Sequence, residues 1–509
     1  MNIPRLFQSV PKQDWLIISM LFIIILLLIA LSELFRKKRI WSAEFTRKFV
    51  HIMVGVFTMA APLFLQTALP MLLLGILFTI VNFVALQKES FKGMHEARKS
   101  YGTVFFPLTY LLLVWFAFPT HKILIVAAMA TMTFGDAAAA IVGESITRPH
   151  RYHFAGESKS LEGSAAMFGV SAVCLATVLT FWHPAQFAIS LTPFNILWIS
   201  LLTALIITDA ESLSSYGSDN LTVPLLTAVI MYFMLHHAAD ENLRFTLGVF
   251  LGAGAALLSY RLQFLTASGS AAMFLLAAVI FGFGGWKWTV PILTFFILSS
   301  LLSRMGKAAK SRYDMVFEKG SQRDYAQVLA NGGVAGLMMI LYMFLGREEI
   351  YLFYLAVLAA ATADTWATEL GTLSRQTPRL ITSGKPVPPG TSGGITLMGL
   401  FSALIGALTI LLAGLYFMGD SLQLLLPLIS LLVVLSGWLA SLVDSVLGAT
   451  LQVQYRCPEC GGITEKQRHC QNTETMAISG VHWIDNDMVN FFSTLSALSL
   501  CYLGWQLLI

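Results

Sequence analysis

Charge is what this chain lacks. Only 12% of its 509 residues are Asp, Glu, Lys or Arg, about half of the roughly 25% usual in soluble domains. With 56% apolar residues and a mean hydropathy of +0.73, that scarcity excludes a soluble globular enzyme. The net charge of +4 is too small to suggest a nucleic-acid partner. Neither a G-x-x-x-x-G-K-[ST] loop nor a kinase glycine-rich loop occurs, so any nucleotide site must be of a kind special to membranes. A cleavage pattern of small residues is missing as well. The apolar run at 15–35 passes directly into RKKR (36–39), and it is expected to stay as a first membrane helix rather than leave as a signal peptide.

What is present is a series of apolar runs near 20 residues, the length that crosses a bilayer. They predict an all-α polytopic membrane protein. Its spans lie near 15–35, 49–65, 67–86, 101–118, 123–143, 162–182, 193–209 and 222–238. Eight more follow near 244–259, 268–285, 288–303, 326–345, 350–371, 393–416, 422–449 and 488–508. With the N-terminus outside, every Lys and Arg falls in a cytoplasmic loop except Arg5, Lys12, Lys122, Arg244, Lys287 and Arg347. That is the bias the positive-inside rule demands of short loops. Both termini are then expected on the opposite face, and the chemistry in the longer, Gly-, Ser- and Asp-rich cytoplasmic loops.

Two stretches of the chain repeat each other in the same orientation. TFGDAAAAIVG (133–143) and ATADTWATELG (361–371) each place Asp seven residues before Gly, as Asp136 to Gly143 and Asp364 to Gly371. Upstream lie SYGTV (100–104), with Gly102, and ANGGV (330–334), with Asn331 and Gly332. Downstream, KSLEGS (159–164) carries Lys159, Ser160 and Gly163, and GTSGG (390–394) carries Ser392, Gly393 and Gly394. ESLSSYG (211–217) and DSVLG (444–448) follow with Glu211 and Asp444. Last come SDNLTVP (218–224), with Asp219 and Asn220, and IDNDMVN (484–490), with Asp485, Asn486, Asp487 and Asn490. Five pairs in one order point to a duplication, with domains at 1–240 and 241–509 and one active site in each.

Acidic residues in or beside a membrane are costly and usually functional. Asp136, Asp364, Glu369 and Asp444 interrupt apolar or small-residue runs. Carboxylates suit Mg²⁺, which also binds phosphate oxygens, and Gly and Ser at a helix start expose N–H groups that hold phosphate. Lys159 and Lys385 can neutralise phosphate charge. Each feature alone has a plainer reading: a turn, a helix cap, a topology signal. Their joint duplication points to a nucleotide site with Mg²⁺.

Five cysteines are present. Cys174 and Cys501 lie in apolar runs and read as packing residues. RCPECGGITEKQRHC (456–470) offers Cys457, Cys460, His469 and Cys470, a donor set suited to Zn²⁺. Reduced thiols without metal, or a redox pair, are the other readings. His469 and Cys470 are adjacent, an awkward arrangement for two ligands of one ion, and His482 is an alternative.

The residues at about 40–240 resemble the CTP-dependent lipid-alcohol kinases, which include phytol, dolichol and fungal-type diacylglycerol kinases. RKFVHI (47–52), YGTVFFPL (101–108), GDAAAAIVG (135–143), KSLEGS and ESLSSYGSDNLTVP (211–224) carry the likeness. It implies transfer of phosphate from CTP to a membrane-embedded alcohol, with Arg47, Lys48, Asp136, Gly143 and Lys159 in the nucleotide site. The part from about 243 onward resembles the transmembrane protein 19-like family, whose plant member is phytyl-phosphate kinase. FEKGSQRDYAQVLANGGV (317–334), ATADTWATELG, GTSGGIT (390–396), LVDSVLGATLQVQY (442–455) and DNDMVN (485–490) carry it. It implies conversion of an isoprenyl monophosphate to the diphosphate, with CTP or another nucleoside triphosphate as donor and Lys319, Arg323 and Lys385 as candidates to neutralise charge. The expected partners are thus a nucleotide and an isoprenoid lipid, phytol first among them. A cytidylyltransferase making a CDP-lipid would use the same nucleotide at the same surface. A transporter would need polar residues in broken helices at mid-depth and inverted repeats.

Overall fold

The computed structural model describes residues 9–87, 100–182, 187–305, 322–419, 425–470 and 472–508. The chain divides into two compact units, Met1–Asn242 and Leu243–Ile509. In the first unit the helices are α1 Lys12–Lys37, α2 Ala43–Phe64, α3 Leu69–Gln87, α4 Gly102–Ala117, α5 Lys122–Ser145, α6 Leu161–Phe181, α7 Pro193–Ser212 and α8 Asp219–His236. Then follow α9 Ala239–Arg261, which opens just before the division, α10 Ala267–Met305 and α11 Tyr325–Leu345. The second unit closes with α12 Glu349–Gly371, α13 Leu397–Leu415, α14 Leu426–Thr450 and α15 Asn486–Leu508. Fourteen of these are long and apolar enough to cross a membrane, and α4 is a shorter apolar helix.

The sixteen apolar runs are all represented. α10 holds two of them, because its 39 residues break at Gly285, where φ is 62° and ψ is −155°. Only glycine adopts that conformation cheaply. Helix starts follow the local chemistry of their caps. Ser42, Ser160, Thr192, Asp324, Thr396 and Asp485 each accept a backbone N–H from the first turn of the helix they precede, which satisfies a donor that would otherwise have no partner.

Each unit is built around one helix. In the first, α5 is buried without a break from Ile123 to Thr133, and packs against α2, α4, α6 and α8. In the second, α12 is buried from Ile350 through Ala363 and packs against α10, α11, α13, α14 and α15. These are the helices that carry Asp136 and Asp364. Because seven residues make about two helical turns, each aspartate shares a face with Gly143 or Gly371.

Short antiparallel hairpins sit at the ends of these helices. β1 Arg151–His153 pairs with β2 Ser158–Ser160, and β3 Arg379–Leu380 with β4 Gly394–Ile395. Each hairpin leads into the cap of the next helix, Ser160 for α6 and Thr396 for α13. The expected start of a span at 393 is therefore corrected: Gly394 and Ile395 are spent on a strand, and the helix begins at Leu397.

Candidate functional site

In the first unit a single turn of π-helix, Thr131–Gly135, immediately precedes Asp136 on α5, and such turns recur at functional sites. His51 of α2 lies with Nε2 3.6 Å from Asp136 Oδ2 and 3.2 Å from the Met132 carbonyl. A carbonyl only accepts, so Nε2 carries the hydrogen. Hairpin β1–β2 brings in Lys159, whose Nζ pairs with Glu211 Oε1 at 2.5 Å and also donates to the Glu211 carbonyl. The charges of Asp219, Glu211, Lys159 and Arg47 all bear on Asp136. Burial alone would pull the Lys159 ammonium below its ordinary value. The carboxylates of Glu211 and then Asp219 outweigh that and hold it above.

Glycines let these elements meet. A Cβ on Gly163 would stand 2.9 Å from the Ala139 carbonyl and 3.6 Å from Gly143 Cα, so α5 and α6 cross at this pair. Gly102 faces Asn220, whose Nδ2 would be 3.0 Å from an added Cβ. Lys48 pairs with Glu44 at 2.7 Å and with Glu144. The Asn220 carbonyl accepts the Thr109 hydroxyl at 2.9 Å, while its side-chain amide donates to Asp219 Oδ1 at 3.0 Å.

The second unit repeats this construction. A Cβ on Gly399 would stand 3.1 Å from the Ala367 carbonyl and 3.6 Å from Gly371 Cα. Thr396 caps Gly399 at 3.0 Å as Ser160 caps Gly163 at 3.1 Å. The stretch equivalent to KSLEGS is therefore ITLMGL (395–400), and the sequence pairing with GTSGG is corrected. The loop GTSGG has a different task. Gly393 (φ 78°) and Gly448 let it lie against the end of α14, where Ser392 Oγ donates to Gln452 Oε1 at 2.7 Å.

Around Asp364 opens a cavity of about 640 Å³. Its lining includes Arg323, Asn331, Asp364, Glu369, Gly371, Ser392, Gly393, Gly394, Asp444, Asn486 and Asn490. The carboxyl groups of Asp364 and Asp444 lie close enough to act on each other. Asp444 Oδ2 is buried and has no hydrogen-bond partner among the described residues. Ser303 Oγ donates to Glu369 Oε1 at 2.7 Å, and the Arg323 charge bears on the same carboxylate. A smaller apolar pocket of about 90 Å³, walled by Leu276, Ala277, Ile292, Phe295 and others, shares Arg323, Gln327 and Asn331 with the polar cavity.

These features lie within a stretch that has relatives. Residues 250–498 match the family described as "Integral membrane protein DUF92". The chain is 35% identical over 276 residues to Protein PGR of Arabidopsis thaliana, covering 50% of this chain and 94% of that protein. The chain belongs to the DUF92 family of integral membrane proteins. It is also 32% identical over 207 residues to phytol kinase of Synechocystis sp., covering 40% of this chain and 84% of that protein. Protein VTE6, chloroplastic, of Arabidopsis thaliana is 24% identical over 231 residues, which cover 44% of this chain and 61% of the relative. No solved structure matches the chain.

Within the DUF92 portion some expected residues fall elsewhere. Lys385 is exposed and does not line the cavity. Its carbonyl closes a tight turn by accepting from Leu380 N at 2.9 Å, with Gly384 at φ 66°. Gly332 lies inside α11 rather than at a helix start, and meets Leu276 on the apolar side. Asp485 is the cap of α15, donated to by Met488 N at 2.9 Å, and Asp487 is buried away from the lining. Lys319 lies outside the described residues.

Sequence reasoning also missed participants. His51 stands one helical turn from Arg47, a spacing that puts both on one face of α2. Lys466 and Glu465 line the DUF92 cavity, although they belong to the cysteine loop. In that loop the ligand atoms of Cys457, Cys460, His469 and Cys470 all lie within 4.8 Å of one another; His482 is not among them. The Cys457 thiol is held down to about 6, first by the backbone N–H of Cys460, whereas Cys470 is pushed up to about 12, first by the Cys460 thiol.

Proposed function

We propose that the chain is a bifunctional membrane kinase. Its first unit transfers the γ-phosphoryl group of CTP to an isoprenoid alcohol such as phytol, and its second unit phosphorylates the resulting monophosphate. The observation that carries this reading is the meeting of two chambers in the second unit. A polar cavity with a carboxyl pair adjoins an apolar pocket, and Arg323, Gln327 and Asn331 belong to both. A prenyl phosphate has the same division into charged head and greasy tail. The relative named phytol kinase supports an isoprenoid substrate.

In the first unit the alcohol oxygen attacks the γ-phosphorus while its proton passes to Asp136, and the bond to the bridging oxygen breaks to release CDP. Lys159 and Arg47 stand near enough to act on that charge, and His51 orients the aspartate from one side. In the second unit the attacking oxygen is already anionic, so a strong base is unnecessary and cations matter more. Arg323 and Lys466 are the cations on that wall. The buried Asp444 Oδ2 beside Asp364 suits a hard cation, and bound Mg²⁺ would neutralise the nucleotide phosphates. The bias of Lys and Arg toward one set of loops supports sites on the cytoplasmic face.

The test supplies membranes bearing the chain with Mg²⁺ and CTP labelled either in the γ-phosphate or in the base, together with a panel of prenyl alcohols. Label from the γ-phosphate in mono- and diphosphates supports the kinase. Base label in the lipid would establish a cytidylyltransferase instead.

A further inference from the structure

We propose that Cys457, Cys460, His469 and Cys470 hold a structural Zn²⁺, and that the loop so clasped is a cap seating Lys466 on the wall of the second unit's cavity. The donor geometry comes first. A tetrahedral zinc with bonds of about 2.3 Å to sulfur and 2.0–2.1 Å to nitrogen has edges of roughly 3.8 Å between sulfurs and 3.6 Å between sulfur and nitrogen. Cys457 Sγ and Cys470 Sγ are 3.7 Å apart, Cys460 Sγ and His469 Nδ1 3.6 Å, and Cys470 Sγ and His469 Nδ1 3.2 Å. Disulfide sulfurs would stand about 2.05 Å apart, and all five cysteines are free.

The neighbours His469 and Cys470 can face one point for a local reason. Cys470 has φ 41°, which turns successive side chains toward the same side, and His469 presents its nearer nitrogen. On the other arm Gly461 (φ 70°) turns the chain back, with Gly461 N donating to the Cys457 carbonyl at 2.9 Å and Cys457 N to the Gly462 carbonyl at 3.0 Å.

The clasp has a purpose in the fold. The loop joins α14, which supplies Asp444, to α15, which supplies Asn486 and Asn490. Its neck is closed by Val453 N donating to the Ile484 carbonyl and Val481 N to the Leu451 carbonyl, both at 2.9 Å. Its body is a three-stranded sheet in the order β6 Ile463–Thr464, β5 Gln454–Arg456, β9 Met476–Ser479, beside the pair β7 Arg468–His469 and β8 Thr473–Glu474. Lys466 lies between Cys460 and His469, so zinc would tie down both ends of the segment that carries it. Its backbone is fixed from two sides, by Thr464 Oγ1 at 3.2 Å and by the Thr475 hydroxyl at 2.8 Å. A cation held there lines the same cavity as Ser392 and Asn486, suited to a phosphate group on the substrate. The role of Lys466 rests on the functional reading above; the zinc does not.

The test uses the full chain purified in detergent without chelator. Elemental analysis is expected to give one zinc per chain, and less than about a fifth of that in Cys457→Ser and Cys460→Ser. Binding of farnesyl monophosphate is measured beside it. Lys466→Ala should keep its zinc and bind roughly tenfold more weakly, the worth of one charge-assisted hydrogen bond. Stripping zinc from the wild type with a chelator should weaken binding as much, restoring zinc should reverse it, and stripping the Lys466→Ala protein should add nothing. Wild-type protein without zinc overturns the site. Zinc-free protein that binds farnesyl monophosphate as tightly as before overturns the cap. If the zinc-loaded wild type binds none, the cap falls with the functional reading while the zinc count stands.

Discussion

Lys159 and Glu211, brought together from a hairpin and a helix end, form an ion pair of 2.5 Å with side chains only 14% and 8% exposed. Removing one partner of a buried pair typically costs about 3–5 kcal/mol, because the other charge is left stranded. Lys159→Ala is therefore expected to destabilise the first unit by that order and to abolish alcohol phosphorylation. The pH dependence has a definite sign. The ammonium is held above its ordinary 10.5, so the pair's contribution is complete below that pH and fades only as pH rises through the folded value. Melting of the detergent-purified chain should be unaffected by Lys159 titration between pH 8 and 10; a loss of stability traced to Lys159 in that window would contradict the assignment.

The Asp364–Asp444 pair should govern the second step alone. Asp364→Asn or Asp444→Asn is expected to lower diphosphate formation by roughly 10²–10³-fold, the scale of losing one preorganised electrostatic group. Monophosphate formation from the alcohol should persist. Chromatography of the two products decides it, and a parallel loss of both steps speaks against separate sites.

Helix crossing at Gly371 and Gly399 leaves only a tight fit for a methyl group, at 3.1–3.3 Å from its nearest neighbours. Gly399→Ala would drive its Cβ to 3.1 Å from the Ala367 carbonyl, and overpacking of this kind costs about 1–3 kcal/mol. Gly254→Ala on α9 meets nothing within 4 Å and should gain up to ~1 kcal/mol from helix propensity. Thermal melts of the two variants should move in opposite directions.

Filling the apolar pocket should discriminate by tail length. Ala277→Phe adds a ring to a space of about 90 Å³. The KM for geranylgeranyl monophosphate is expected to rise about tenfold, with a smaller rise for isopentenyl monophosphate. Equal effects on both would place the tail elsewhere.

Much of the plan was legible in the sequence because membrane burial writes it plainly. Runs near 20 residues set the helices, and the Asp–Gly spacing of two turns picked out α5 and α12, the buried helices around which the units are built. The register of the hairpins was not legible. The link from Gly371 to Thr396 is eight residues longer than that from Gly143 to Ser160, so motif order alone matched KSLEGS with the wrong glycines. Lysine placement failed for a similar reason. Lys385 is near the glycine loop in sequence but its turn faces outward, whereas Lys466 arrives through the fold of a loop anchored some 90 residues beyond α12. Long-range closure of that kind leaves no local pattern.

Separating the two steps by mutation shows whether each unit does its own phosphorylation. Asp136→Asn and Asp364→Asn chains are each given γ-labelled CTP with phytol, or with unlabelled phytyl monophosphate. Two consecutive sites predict that Asp364→Asn accumulates labelled monophosphate from phytol, and that Asp136→Asn fails with phytol yet still converts the supplied monophosphate to diphosphate. If Asp136→Asn phosphorylates phytol at the wild-type rate, or if each variant loses both conversions, the division of labour between the units is wrong.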